Sequence, residues 1–143
     1  MNKKLLFIFG FILLTSCKNK SGEKIINTEK SFQMYELSEM AAYMENLYKQ
    51  HAILKDKIEK GNAIDSLPFS FQPFYEAEFT DPRDNDEEFK RFALLFESTA
   101  KQITKDSLAV RKNYNNTIDV CISCHQQKCR GPISRIKKLY INQ

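Results

Sequence analysis

Tyr114-Asn115-Asn116-Thr117-Ile118-Asp119-Val120-Cys121-Ile122-Ser123-Cys124-His125 is the stretch on which the reading of this chain turns. With Leu108 before it, the apolar positions Leu108, Tyr114, Ile118 and Cys121 open a helical register, so the segment is expected to be a helix with one buried face. That register runs directly into Cys121-Ile122-Ser123-Cys124-His125, which has C-x-x-C-H spacing. Two thiols three positions apart lie on adjacent turns of a helix, and each can add across one of the two vinyl groups on a porphyrin edge. The adjacent imidazole then reaches the iron. One covalent haem c, held by Cys121 and Cys124 with His125 as axial ligand, is the expected cofactor. C-x-x-C alone is shared by redox pairs and zinc knuckles; the immediate histidine narrows it.

Elsewhere the pattern is also helical. From Phe32 to Lys60 the residues Leu37, Met40, Ala41, Met44, Leu47, Tyr48, Leu54 and Ile58 recur mostly at intervals of three and four, the period of one buried helix face. Gly61 is placed to stop that helix. After Thr80-Asp81-Pro82 a second strong pattern begins, with Asp84 and Glu87 spaced as a capping box and a buried face of Phe89, Phe92, Ala93, Phe96, Ala100 and Ile103. A break is expected near Lys105-Asp106-Ser107. Gly131-Pro132 ends the motif-bearing helix, and Ile133 to Tyr140 makes one short further helix. Between the first two long helices, Pro68 and Pro73 exclude a long uninterrupted helix, although Pro73 can open a short one ending near Phe79. The five aromatics Phe69, Phe71, Phe74, Tyr75 and Phe79 in that stretch need burial, in the core or over a haem edge.

Lys3 and Lys4, the apolar run Leu5 to Leu14, and the small residues Thr15 and Ser16 before Cys17 read as an export signal. Ten apolar residues make ~15 Å of helix, about half of the ~30 Å hydrocarbon core, so a permanent span is the poorer reading. Leu14-Thr15-Ser16-Cys17 resembles the lipobox of bacterial lipoproteins, which implies lipid on Cys17 as the first mature residue. The expected organisation is a lipoprotein signal peptide over 1–16, a polar, flexible tether over 17–30, and a helical haem-binding domain over 31–143. An exported, membrane-anchored protein on the periplasmic side or cell surface follows. The chain carries a formal +4 and a pI near 8.8. Setting aside Lys3 and Lys4 reduces the excess of basic groups to two, and no basic run with interleaved aromatics is present. Nucleic acid is therefore not an expected partner. Arg135, Lys137 and Lys138 read as a solvated face.

A helical domain with C-x-x-C-H near the C-terminus of its last long helix, and a methionine-bearing first helix, resembles the cytochrome c′ group of c-type cytochromes. The resemblance covers roughly residues 31 to 130. It implies an all-α, four-helix bundle, here with a short or broken second helix, belonging to the Met-ligated, low-spin branch. The basic residue that the family often carries four positions after the histidine is replaced by Cys129, with Arg130 next; Arg130 or Lys128 then becomes the candidate contact for a haem propionate. In an up-down-up-down bundle the last helix ends beside the start of the first, so the sixth ligand is sought among Met34, Met40 and Met44. By resemblance to Met-ligated members Met40 is preferred, with Met44 next.

His51 lies eleven residues beyond Met40, ~16 Å along the helix. It is expected at the far end of the bundle, partly exposed at the edge of the apolar face. Cys129 is left without an intrachain partner. The function expected is carriage of single electrons, with redox proteins and, through the lipid, a membrane as partners, and a homodimer as an open option. Two alternatives stand beside it: a five-coordinate cytochrome c′ binding NO or CO, and a Cys3His zinc module built from Cys121, Cys124, His125 and Cys129. No Ser-His-Asp set or paired carboxylates mark an enzyme.

Overall fold

The structure, a computed structural model, describes residues 36–142. The signal peptide, Cys17, the tether, Phe32 and Met34 lie outside the described residues. Every regular element among those described is helical: α1 (Glu39–Glu59), α2 (Pro73–Glu76), α3 (Glu87–Ile103), α4 (Val110–Gln127) and α5 (Ile133–Ile136), with 3-10 turns at Pro82–Asp84 and Lys137–Leu139. Three helices are long; α2 is a single turn opened by Pro73.

α1 starts where Ser38 caps it, its hydroxyl accepting from the Ala41 N–H at 3.2 Å. Residues 36 to 38 are extended, so the first helix opens later than its apolar period suggests. The segment after α2 closes over this end: Met40 N–H donates to the Glu78 carbonyl, and the Glu39 carboxylate accepts from Glu78 N–H. Amide groups that a helix start leaves orphaned are thus satisfied. At the other end Gly61 takes a positive φ of 75°, and the Asn62 N–H reaches back to the Lys57 carbonyl in a Schellman-type stop. Gly61 therefore terminates α1 as its sequence implies.

The cap of α3 is Asp86, whose carboxylate accepts from Phe89 N–H, and not Asp84, which belongs to the preceding 3-10 turn. The cap lies two residues later than expected because Asp81-Pro82 winds its own turn first, and with Phe89 at the third helical position the reciprocal half of the expected box does not form. α3 buries Phe89, Ala93, Phe96, Ala100 and Ile103 as read, with Phe92 half-buried. Ala93 and Ala100 keep that stripe thin, and α3 and α4 form the most extensive helix pair. Asp106 makes the break, accepting from the N–H groups of Leu108 and Ala109. Leu108 is almost fully exposed and stands outside the register assigned to it. α4 buries Tyr114, Thr117, Ile118, Val120 and Ile122. It ends at Gln127, before Gly131-Pro132.

α1 and α4 run antiparallel. Reading up α1 and down α4, Arg111 reaches the Glu59 carbonyl and the buried Tyr114 hydroxyl donates to the His51 carbonyl at 3.0 Å. Two cores result. A largely aliphatic one joins Leu54, Ile58, Ile103, Tyr114, Ile118, Ile122, Ile136, Leu139 and Ile141. An aromatic one gathers Leu47, Phe74, Phe89, Phe96 and Val120 nearer the N-terminus of α1. The C-terminal tail is tied across both helices: Asn115 exchanges two hydrogen bonds with Ile141, Tyr140 bonds Asp119, and Lys55 donates to the Lys138 and Tyr140 carbonyls.

The aromatic loop divides its residues. Phe74 is buried in the core, Phe69, Phe71 and Phe79 are half-buried, and Tyr75 is exposed with its hydroxyl on Glu97. Phe69 covers His51, which corrects the expectation for that residue: His51 is 1% exposed, between Phe69, Phe96 and Tyr114 with ring centroids 4.9, 5.8 and 5.6 Å away. The heptad spacing Met44 to His51 to Ile58 places it on the inner stripe of α1, and the loop supplies the lid that helix periodicity could not reveal.

Burial holds the His51 imidazole well below its ordinary 6.5, at about 4. The folded value lies below the unfolded one, so the linked stability is fully present above the unfolded pKa and is lost as pH falls toward about 4. Urea unfolding at pH 7.5 and at pH 5 should therefore differ by roughly 2 kcal/mol, in a window above the range where ordinary carboxylates titrate. His51→Leu should flatten most of that difference. An undiminished slope in the variant would assign the acid sensitivity to other groups.

Candidate functional site

Three adjoining hollows open between α1 and α4, and Met44 and His125 line all of them. The largest, about 260 Å³, lies at the N-terminal end of α1 and the C-terminal end of α4; Met40, Met44, Phe79, Phe89, Cys124, His125 and Lys128 are among its walls. A second, about 40 Å³, runs inward under Phe74, Phe92, Phe96 and Val120 to Cys121 and Cys124. The third, about 60 Å³, follows α1 past Tyr48 to His51 and is roofed by Arg135, Ile136 and Leu139. The hollows exist because α1 touches α4 at few places, whereas α3 and α4 are tightly joined.

Cys121, Cys124 and His125 sit on the last two turns of α4. Both thiols are half-buried and free of disulfide. Burial, with the neighbouring Cys124, pushes the Cys121 thiol up to about 12; burial pushes Cys124 up to about 11 against the opposing pull of the Lys128 ammonium. The pair is therefore protonated at neutral pH. The His125 ring has one nitrogen committed, with Nδ1 2.9 Å from the Cys129 carbonyl. A carbonyl can only accept, so Nδ1 carries a proton, and in the neutral tautomer this selects Nε2 holds the lone pair. Such a backbone hydrogen bond is how a metal-ligating histidine is commonly oriented.

On the opposite wall, Met40 is 6% exposed and lines only the largest hollow, while the half-buried Met44, one turn along α1, lines all three. Lys128 also lines the largest hollow, but its ammonium is held by Asp86 at 2.5 Å and Glu88 at 3.1 Å, which ties the end of α4 to the start of α3. Arg130 is exposed, with Nε on the Gln126 carbonyl, and lines none of the three hollows. Arg135 makes a bidentate pair with Glu45 and lies 4.5 Å over the Tyr48 ring. It is nevertheless exposed, as are Lys137 and Lys138, in keeping with the solvated face read from the sequence.

Cys129 is exposed just beyond α4. Among the described residues no three His, Cys, Asp or Glu side chains are grouped so that they could hold a metal ion, and Cys121, Cys124, His125 and Cys129 do not converge as a Cys3His set. No helix among the described residues is long and apolar enough to cross a membrane. The inward-facing His51 is the feature of the site that the sequence pattern did not bring out, although its seven-residue spacing from Met44 carries the signal. No family model matches the chain, and no curated protein or solved structure does either.

Proposed function

We propose that the chain is a lipid-anchored c-type cytochrome that carries single electrons on one covalently bound haem and is not an enzyme. The observation that carries this reading is that Cys121, Cys124 and His125 from α4 open into the same set of largely apolar hollows as Met44 and Met40 from α1. The residues fit the group: two thiols one turn apart for thioether bonds, an imidazole with Nε2 free, thioethers on the facing helix, and aromatic walls for a flat apolar body. Haem, when bound, supplies a reversible one-electron iron couple. The protein's part is to hold the macrocycle, orient His125 through the Cys129 carbonyl and exclude water with Phe74, Phe89 and Phe96. A cytochrome c′-like four-helix bundle belongs to the same proposal, with the one-turn α2 in the place of the second long helix. Exported localisation with lipid on Cys17, and redox proteins as partners, complete it.

Met40 is the sixth ligand implied by resemblance. The geometry favours a second assignment, Met44, because that side chain accompanies His125 in every hollow whereas Met40 meets it in one.

Haem should remain on the polypeptide through denaturing electrophoresis and acid-acetone extraction when the chain is matured in a host with haem-attachment machinery. A purified chain with stoichiometric zinc and no haem would overturn the proposal. Cys17→Ser should move the protein from the membrane fraction to the soluble fraction with an unchanged haem spectrum; wild type already soluble, beginning elsewhere than Cys17, would remove the anchor.

Optical spectra with and without CO identify the sixth ligand. Wild type should be low-spin in both oxidation states, with a weak long-wavelength sulfur-to-iron band when oxidised. Of Met40→Ala and Met44→Ala, the variant that becomes high-spin and binds CO has lost the ligand. The other should lose only packing, part of the ~2–5 kcal/mol that a fully buried methionine contributes. High-spin wild type would move the function to NO or CO binding.

A further inference from the structure

Among the described residues, the two ring nitrogens of His51 are the only buried side-chain polar atoms without a hydrogen-bond partner in the protein. A neutral imidazole presents one N–H donor and one lone pair, and buried polar groups of this kind are ordinarily paired. Phe69, Phe96 and Tyr114 enclose the ring on its other sides, and the Tyr114 hydroxyl is spent on the His51 carbonyl. What remains open to the side chain is the hollow of about 60 Å³ that it lines with Met44, Tyr48, Cys121 and His125. A water molecule needs about 10–15 Å³ of such space and two to four polar neighbours. Besides His51, the lining offers the Tyr48 hydroxyl and the Glu45–Arg135 pair.

We infer that His51 anchors an internal site for a small neutral molecule able both to donate and to accept a hydrogen bond, occupied by water in the resting protein. His51 stands seven residues from Met44, so the two share one face of α1. If Met44 or Met40 faces the iron, the bound water lies on that same side of the macrocycle, next to the position a sixth ligand takes. This placement rests on the proposed haem reading; the water site does not.

The test is nitrogen-resolved NMR of the imidazoles in the full, haem-matured protein, reduced so that a low-spin haem is diamagnetic. The chain has two histidines, so assignment needs one variant. A single neutral tautomer of His51 is expected, its ring N–H showing cross-relaxation to a long-lived water. His51→Gln, which retains a donor and an acceptor, should keep a buried water in a crystal structure, and His51→Leu should lose it. A wild-type ring N–H with no water cross-peak overturns the inference, and should His51→Leu not fold, that wild-type signal still decides. So does a His51 nitrogen bound to iron, which would give a bis-imidazole spectrum that survives both methionine variants. Haem is scored on the same sample, so a haem-free chain with the water signal would sink the cytochrome reading and leave this site standing.

Discussion

The hydrogen bond from the buried Tyr114 hydroxyl to the His51 carbonyl fixes the register on which the candidate site depends. An unpaired phenol at that depth costs about 1–3 kcal/mol, so a register that leaves the hydroxyl unbonded is disfavoured. Once the bond is made, the antiparallel arrangement follows by counting. Moving back along α1 from His51 reaches Met44 and Met40, and moving forward along α4 from Tyr114 reaches Cys121, Cys124 and His125. The helix positions that bear sulfur and imidazole are thereby brought to one end of the molecule, although more than seventy residues of chain separate Met44 from Cys121.

At that end two packing demands compete. α3 and α4 close tightly because Ala93 and Ala100 are small, which gives the fold a firm two-helix base. α1 cannot close equally, because the aromatic loop must also find cover, and Phe69, Phe71 and Phe74 pack around Phe96. The gap left between α1 and α4 is lined by side chains too large to collapse into it. Tight packing at the aliphatic end, with Leu54, Ile103 and Ile118 almost fully covered, pins the helices well enough for the open end to persist.

The helices were legible because their stripes are long and regular: Phe89 to Ile103 in α3 needed no correction, and Gly61 announced the end of α1. The thiols and His125 were legible because their chemistry lies in five consecutive residues. His51 was misread for a different reason. Periodicity ranks a position on a helix face but says nothing about what a distant loop lays over it, and Phe69 is eighteen residues away. Leu108 fails in the opposite direction, since Asp106 turns the chain before the register begins and leaves an apolar side chain in water. Met40 and Met44 both satisfy the stripe. Only the three-dimensional gap distinguishes them: Met40 is buried in the core and lines one hollow, whereas the half-buried Met44 lines all three.

The charges around the gap constrain what it can receive. Lys128 is neutralised by Asp86 and Glu88, Arg135 by Glu45, and Arg130 is turned away onto the Gln126 carbonyl. Among the described residues no uncompensated cation therefore lines the hollows, and a carboxylate buried there would face a desolvation cost with nothing among them to offset it. A ligand matched to this arrangement has an apolar body that enters the gap and keeps its acidic groups at the rim, where water solvates them. The haem proposed for this site would meet that demand, since it joins an apolar body to two acidic groups. The thiols and the imidazole bear on that proposal through bonding, and the charge distribution bears on it separately through solvation.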